Sequence, residues 1–405
     1  MRIMNLDNKI ESKWLTRILN ALLFLFALGF GNYEKYILAV VLLIYLYVVF
    51  GSGGKLNIYK RSPVAPLALW GVVYFAFYAL EGNDFITGLF YYFVGPVIFW
   101  LVGRDIASEK DEKTNLYLVL SECSGLLIHG ILNISTSISG GYFLYNAEYI
   151  HDYWSGRMVS RTIVGMYMTP FVCAAIPIIF LWDKGVKTIV KILLFGGTLA
   201  ALGLSIYVGN RSILAISILV LAFSVLYGMR VSKNKVRTFV GIVIGLILLI
   251  LVLSGSVIDI GNYVSNSFLS RRNANLLQDG RWAVYSYVFR HFFDFILGWI
   301  SSNGGVMDVG LKWAHNLWID IYIYSGIIPA LLFLVFSIRT LRNSLRLVKN
   351  VKISSSLRLI SIIVLIGIYL NWAVEPVLSA NPYYFAICCF IFGSFEKWEQ
   401  LPKMS

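Results

Sequence analysis

The chain has 405 residues, of which 58% are hydrophobic and only 14% are charged. A water-soluble domain carries roughly a quarter charged residues, which keep its surface solvated, so this composition excludes a soluble globular protein. The formal net charge is +13, because lysine and arginine outnumber aspartate and glutamate by 34 to 21.

Apolar runs long enough to cross a membrane recur along the chain. A hydrocarbon core of about 30 Å needs roughly 20 apolar residues in a helix, because helical hydrogen bonds satisfy the backbone in lipid. We predict an all-α polytopic membrane protein of about twelve transmembrane helices, with residues 1–405 forming one membrane domain. The predicted spans are 15–31, 36–51, 65–81, 86–103, 115–133, 161–182, 188–208, 211–229, 238–256, 316–338, 356–375 and 380–395.

The start of the chain is basic, and no small-residue cleavage motif follows the first apolar run. We therefore expect the first span to be a retained signal anchor. Every cysteine falls inside a predicted span, at neither disulfide nor metal-ligand spacing. These residues are Cys123, Cys173, Cys388 and Cys389. We expect them to be small core residues, and we predict no metal and no other cofactor.

Two predicted loops, 134–160 and 257–314, are much longer than the other connections, and long ordered loops tend to carry function. The second loop contains an aromatic, amphipathic stretch that predicts a short helix lying on the membrane surface. Four of its apolar side chains would dip toward lipid, namely Phe292, Phe293, Phe295 and Ile296. Arg290 and Asp294 have the spacing of an ion pair within that helix.

Cytoplasmic loops are enriched in lysine and arginine, and this bias predicts the orientation. With the N-terminus inside, all but nine of the 34 basic residues lie on the cytoplasmic side. We therefore predict that both termini are cytoplasmic and that both long loops lie outside. The basic hairpins then orient the protein or touch anionic lipid, and nucleic acid is not an expected partner. The nine outer residues are Lys35, Arg157, Arg161, Arg211, Arg271, Arg272, Arg281, Arg290 and Lys312.

These nine basic residues lie on the outer side although lysine and arginine favour cytoplasmic loops. Their presence there suggests that the protein binds an anionic ligand on its outer side. Arg211 stands at the outer end of the eighth predicted span, where a charged side chain usually faces a water-filled cavity or a partner. The alternative is that Arg211 snorkels into lipid headgroups. His315 directly precedes the tenth predicted span at a similar level, with Asn316 and Asp320 on one helical face below it.

These residue types describe a site for an activated phosphate ester. Guanidinium groups match phosphate oxygens, and histidine exchanges a proton near neutral pH. Arg211 and Arg281 would stabilise charge on a departing diphosphate, while His315 would help to deprotonate an attacking hydroxyl. A lone interfacial histidine is more often structural.

On the fifth span, Glu122 and His129 share one face, a spacing that suits a proton relay or buried polar contacts.

A large late outer loop opens with Gly280-Arg281-Trp282 and closes with His315-Asn316, and the next helix contains Gly326. With its many spans, the chain thereby resembles the O-antigen polymerase and ligase superfamily, most clearly over 210–330. Members act at the outer face of the bacterial inner membrane on undecaprenyl-diphosphate-linked glycans, without a nucleotide sugar or a metal.

The resemblance implies that both long loops are periplasmic, that Arg211 and Arg281 hold the lipid diphosphate, and that His315 acts near the acceptor hydroxyl or the leaving group. It thus implies a catalytic set of three residues. Further candidates for substrate binding are Arg157, Arg161, Arg271, Arg272, Asn316 and Asp320.

The resemblance also implies the activity of an O-antigen polymerase, a metal-independent glycosyltransferase that moves a lipid-linked glycan chain onto a new lipid-linked repeat unit. The ligase branch, which transfers the glycan to lipid A-core, is often recognised by a motif that His315, Asn316 and Gly326 match but Pro329 does not. This departure favours the polymerase.

The expected partners are the undecaprenyl-diphosphate-linked oligosaccharide and membrane lipids, with a polysaccharide chain-length regulator as a further candidate. A transporter or flippase is an alternative of a different class. Such a protein is expected to show inverted or parallel repeats, and none is visible in the sequence.

Overall fold

The computed structural model describes residues 7–51, 62–106, 112–140, 149–181, 186–208, 210–231, 280–301, 314–350 and 353–399. Within these ranges the chain is almost entirely helical, and one two-stranded antiparallel hairpin interrupts the helices. The helices are α1 Asp7–Ala27, α2 Glu34–Gly51, α3 Val64–Leu80, α4 Phe85–Gly88, α5 Gly95–Ile106, α6 Glu112–Ser139, α7 Arg161–Leu181, α8 Thr188–Val208, α9 Arg211–Val231, α10 Gly280–Arg290, α11 Leu317–Ser325, α12 Ile327–Lys349, α13 Ser355–Val374, α14 Val377–Ala380 and α15 Pro382–Glu399. A π-helical turn, Leu89–Val94, joins α4 to α5, and the hairpin strands are β1 Tyr149–His151 and β2 Met158–Ser160.

Six helical segments of the described chain are long and apolar enough to cross a membrane, which confirms the prediction of a multi-pass membrane protein. They are Phe85–Asp105, Asn115–Ser139, Thr162–Ile179, Thr188–Val208, Ile327–Lys349 and Ser355–Val374. Shorter apolar helices lie at Trp14–Ala27, Val64–Leu80 and Ser212–Tyr227. The predicted span 238–256 lies outside the described residues.

The centre of the bundle depends on a close contact between α5 and α15. A Cβ atom on Gly103 would lie 2.1 Å from the carbonyl oxygen of Phe390, and one on Gly393 would lie 2.1 Å from that of Trp100. Small residues let membrane helices approach this closely, because association in lipid depends on packing. Aromatic side chains such as Trp372 and Phe385 fill the core beside this contact.

The bundle has two ends, which we name after the residues found there. At the Arg104 end, Glu396 accepts hydrogen bonds from the Trp100 indole at 2.8 Å and from the Ser62 hydroxyl at 3.0 Å, and Arg104 pairs with Asp105 at 2.8 Å. At the His315 end, the C-terminal end of α13 lies beside the N-terminal ends of α9 and α11, the start of α7 lies beside the start of α9, and the hairpin joins the ends of α1 and α6.

The segment predicted as one span over 316–338 is instead two helices that meet at Gly326. Gly326 has φ 84° and ψ −170°, a conformation that is essentially restricted to glycine. A Cβ atom on Gly326 would lie 2.3 Å from the carbonyl oxygen of Ile296, which accepts the Ile327 amide at 3.0 Å. The helix that follows runs on to Lys349, so Arg339, Arg342, Arg346 and Lys349 belong to α12.

The amphipathic stretch of the second long loop also differs from its prediction. Helix α10 ends at Arg290, and Asp294 pairs with His291 at 3.0 Å, so Arg290 and Asp294 do not share a helix. Phe295, expected to face lipid, is buried against Tyr322 because the chain turns back onto α11. Phe293 is 78% exposed, as expected.

The predicted loop 134–160 begins later than expected, since α6 continues to Ser139. The hairpin that follows packs on α6, and the Ser137 hydroxyl accepts the His151 amide at 2.9 Å. This part of the loop is therefore ordered against the bundle.

We predict that Gly326→Ala destabilises the protein by about 1–3 kcal/mol or more, because alanine disfavours this backbone conformation and its methyl group would overlap the Ile296 carbonyl. Gly203→Ala is the control, since no atom lies within 4 Å of a Cβ added there. Thermal unfolding in detergent measures both variants, and equal melting temperatures would contradict the prediction.

Candidate functional site

The end of α13 connects the segments that carry the predicted site residues. The Asn316 side chain donates from Nδ2 to the carbonyl oxygen of Ala373 at 3.3 Å. The Ser212 hydroxyl donates to Oδ1 of Asn210 at 2.8 Å, and its oxygen lies 3.4 Å from Oε1 of Glu375. The start of α9 and the turn before α11 are thus attached to α13 two residues apart, at the His315 end of the bundle.

His315 lies in a sharp turn immediately before α11. Its φ is 55°, a left-handed conformation that costs a non-glycine residue roughly 1–2 kcal/mol. The carboxylate of Asp320 accepts the Ala314 amide at 2.7 Å and the Asn316 amide at 3.2 Å. The hydrogen bonds on both sides of His315 therefore hold it in this conformation.

Asn316 is the N-cap of α11. Its side-chain oxygen accepts the Ile319 amide at 3.2 Å, which satisfies one of the free donors at the helix start. Both Asn316 and Asp320 were predicted to bind substrate. In the structure, both side chains make contacts within the chain that shape the His315 turn.

The predicted arginines share a position in the secondary structure. Arg161 and Arg211 are the first residues of α7 and α9, and Arg281 is the second residue of α10. A helix N-terminus already carries partial positive charge, so an arginine there is unfavourable unless an anion is near. Their placement is therefore compatible with an anionic ligand.

The starts of α7 and α9 are adjacent. Asn210 caps α9, since its Oδ1 accepts the Ile213 amide at 3.3 Å, and its side chain packs directly on Gly165 of α7. Asn210 is 5% exposed, and its Nδ2 has no hydrogen-bond acceptor among the described residues. Two positively polarised helix starts and one spare donor thus lie together.

The turn before α11 also contacts α10. Ala314 is fully buried in a small apolar cluster with Val284 and Val288 of α10. Helix α10, which carries Arg281, therefore belongs to the same apolar cluster as the residue before His315. Arg157 is exposed on the hairpin loop. Arg271 and Arg272 lie outside the described residues.

A second polar cluster was missed by the sequence reasoning. Asp152, in the turn of the hairpin, accepts a hydrogen bond from His129 of α6 at 2.8 Å, and the Tyr153 amide donates to Asn133 at 2.8 Å. The Trp154 indole donates to the carbonyl oxygen of Leu28 at 2.9 Å. These bonds fasten the hairpin across the ends of α1 and α6.

The sequence suggested either a proton relay or buried polar contacts for His129. In the structure His129 makes a buried polar contact, and its partner is Asp152. Glu122 lies two turns away, fully buried, and neither of its carboxyl oxygens has a hydrogen-bond partner among the described residues. The only sequence signal for Asp152 is the Asp-x-x-Ser turn, in which Ser155 donates its amide to Asp152 at 2.8 Å.

Beneath the hairpin lies a cavity of about 10 Å³, the size of one water molecule. Glu34, His129 and Tyr167 line it, and the His129 ring stacks on Tyr167 at 4.7 Å. Glu34 is 5% exposed, and its Oε2 has no partner among the described residues. Within the same ranges, no three histidine, cysteine, aspartate or glutamate side chains group as metal ligands.

Asp152 makes attachment of the hairpin depend on pH. Burial raises the pKa of its carboxyl, but hydrogen bonds from His129 and Ser155 outweigh burial and hold the pKa below the ordinary 3.8. A depressed carboxyl pKa stabilises the folded form above the unfolded value and loses that contribution as pH falls.

We predict that Asp152→Asn loosens the hairpin at neutral pH by on the order of 1–3 kcal/mol, because a buried charged hydrogen bond is lost. Wild-type protein should lose the same protection as pH falls below about 4. Hydrogen exchange over residues 149–160 measures both effects, with Asp294→Asn as the exposed control. Unchanged exchange in Asp152→Asn would contradict the prediction.

Comparison with protein-family models and with curated proteins gave no match to this chain.

Proposed function

We propose that this protein is an O-antigen polymerase, which transfers a glycan chain from undecaprenyl diphosphate to a new lipid-linked repeat unit. The supporting observation is the joint attachment of the α9 start and the His315 turn to the end of α13. That arrangement puts an arginine-bearing helix start near a histidine in a strained turn, as the resemblance to the polymerase and ligase superfamily would require.

The proposed reaction uses the residues as follows. A hydroxyl oxygen of the acceptor sugar attacks the anomeric carbon of the donor, and the bond from that carbon to the diphosphate oxygen breaks. The diphosphate leaves with the electron pair, and Arg211 and Arg281 stabilise its charge. His315 accepts the proton of the attacking hydroxyl.

The proposed setting is the bacterial inner membrane, with about twelve spans by length and apolarity. Both termini would be cytoplasmic, following the distribution of lysine and arginine. The His315 end would then face the periplasm, where the lipid-linked donor and acceptor meet. Arg157, Arg161, Arg271 and Arg272 would contribute to substrate binding, membrane lipids would surround the bundle, and a chain-length regulator would be a further partner.

Two alternatives remain open to test. One alternative is a ligase, which transfers the glycan to lipid A-core and whose motif includes Gly326. The fold itself requires glycine at this position, because of the backbone conformation and the contact with Ile296. Gly326 therefore does not distinguish a polymerase from a ligase. A transporter or flippase is favoured by one observation, the fully buried Glu122 without a hydrogen-bond partner among the described residues, since an ionisable residue at membrane depth often belongs to a transport path.

The test is deletion of the gene in its host, followed by complementation. We predict that Arg211→Ala, Arg281→Ala and His315→Ala each lower polymer yield by about 10²–10³-fold, as expected when a group that stabilises the transition state is removed. A silver-stained gel of surface polysaccharide, at matched protein levels, gives the readout.

The matched controls are Arg290→Ala, an exposed arginine on the same helix as Arg281, and His291→Ala, an exposed histidine. Both should restore the full ladder. If the deletion strain makes lipid A-core that carries a single repeat unit, the polymerase is supported. If it makes lipid A-core without glycan while polymer stays on the lipid carrier, the ligase is supported. An unchanged ladder in the deletion strain would rule out both.

A further inference from the structure

We infer that Asp320 is the positioning residue of the site, whose carboxylate fixes the backbone on both sides of His315 and so sets the direction of the imidazole. This inference rests on the proposed function, in which His315 accepts a proton. It assigns Asp320 a role through His315 rather than direct contact with substrate.

The hydrogen bonds carry the inference. One carboxylate oxygen of Asp320 accepts the amide before His315, and the other accepts the amide after it, at 2.7 and 3.2 Å. In return, the Asp320 amide donates to the carbonyl oxygen of Asn316 at 2.7 Å. His315 is thus enclosed by a closed set of bonds, at a left-handed φ that it would otherwise avoid.

Burial makes Asp320 unsuited to direct binding of substrate. The residue is 7% exposed, and each carboxylate oxygen already accepts a backbone amide. A buried carboxylate needs such donors, because leaving it without them is costly. A substrate hydroxyl would have to displace one of these bonds.

The turn is also anchored to the rest of the site. Asn316 follows His315 directly and donates to Ala373 of α13, and Oε1 of Glu375, which follows α13, lies 3.4 Å from the hydroxyl oxygen of Ser212 of α9. Asp320 therefore fixes the His315 turn relative to the helix that begins at Arg211. Loss of its carboxylate would change the direction of the imidazole while leaving the arginine-bearing helix starts in place.

Asp320→Asn is the discriminating substitution. Asparagine has the same shape, but its side chain has one acceptor oxygen and one amino group, so one of the two backbone amides would face another donor. Asp294→Asn is the matched control, because Asp294 is exposed and its carboxylate pairs with His291 of its own segment.

Three measurements are made on each variant of the full chain. They are the polysaccharide ladder in the deletion host, the hydrogen exchange of the Ala314 and Asn316 amides in detergent, and the affinity for inorganic diphosphate from thermal shift. For Asp320→Asn we expect at least tenfold less polymer, at least tenfold faster exchange, and a diphosphate affinity within twofold of wild type. Arg211→Ala should instead weaken diphosphate binding.

A chemical rescue separates positioning from a general structural defect. His315→Gly removes the imidazole and suits the left-handed backbone, so imidazole added to the medium should restore part of the polymer. Because free imidazole needs no turn to hold it, the rescue should be equal with and without Asp320→Asn. If Asp320→Asn does not accumulate, Asp320→Glu, which keeps both acceptor oxygens, replaces it and should give an intermediate loss.

The outcomes separate this inference from the proposed function. A full ladder from His315→Ala would overturn the proposed catalytic role itself. Loss of the ladder in His315→Ala with a full ladder in Asp320→Asn would overturn the inference alone. Diphosphate affinity lowered as far as in Arg211→Ala, or a rescue that still depends on Asp320, would show that Asp320 acts elsewhere in the site.

Discussion

A backbone that leaves the helix inside a membrane protein must find new partners for its amides and carbonyls, because lipid offers none. Among the described residues, three such breaks lie at the two ends of α11 and at the end of α13, and each is satisfied by a neighbour. The Ile327 amide donates to Ile296, the amides on both sides of His315 donate to Asp320, and the Glu375 carbonyl accepts the Val377 amide. The breaks at His315 and after α13 lie together at the candidate site, whereas the break at Gly326 lies at the other end of α11.

The helix breaks also create helix starts, which determine where partial positive charge lies in the structure. Helix starts concentrate partial positive charge, and the structure places Arg161, Arg211 and Arg281 at or next to helix starts. The buried carboxylate of Glu375 lies beside the α9 start through Ser212, where negative charge is favourable. The carboxylate of Glu375 therefore offsets part of the positive charge at that helix start.

Side-chain contacts continue from the hairpin cluster toward the C-terminal half of α13. From His129 the contacts continue through the stacked Tyr167 to Asn381, whose side chain bonds to the Tyr167 hydroxyl. Asn371 of α13 in turn lies 3.4 Å from Tyr384 of α15 and from Thr169 of α7. Loosening the hairpin would therefore disturb side chains that pack against the end of α13.

The amino-acid sequence by itself determined the class of protein and most helix positions, because a run of apolar residues must be helical in lipid whatever lies beside it. Its basic residues also marked out Arg211 and the positions near His315. The break at Gly326, the hairpin contact between His129 and Asp152, and the closure of Asp320 around His315 were decided only by tertiary structure. Each depends on a hydrogen bond to a backbone group or side chain that the fold brings close. Neither the hydrophobic periodicity nor the charge pattern of the sequence predicts that partner.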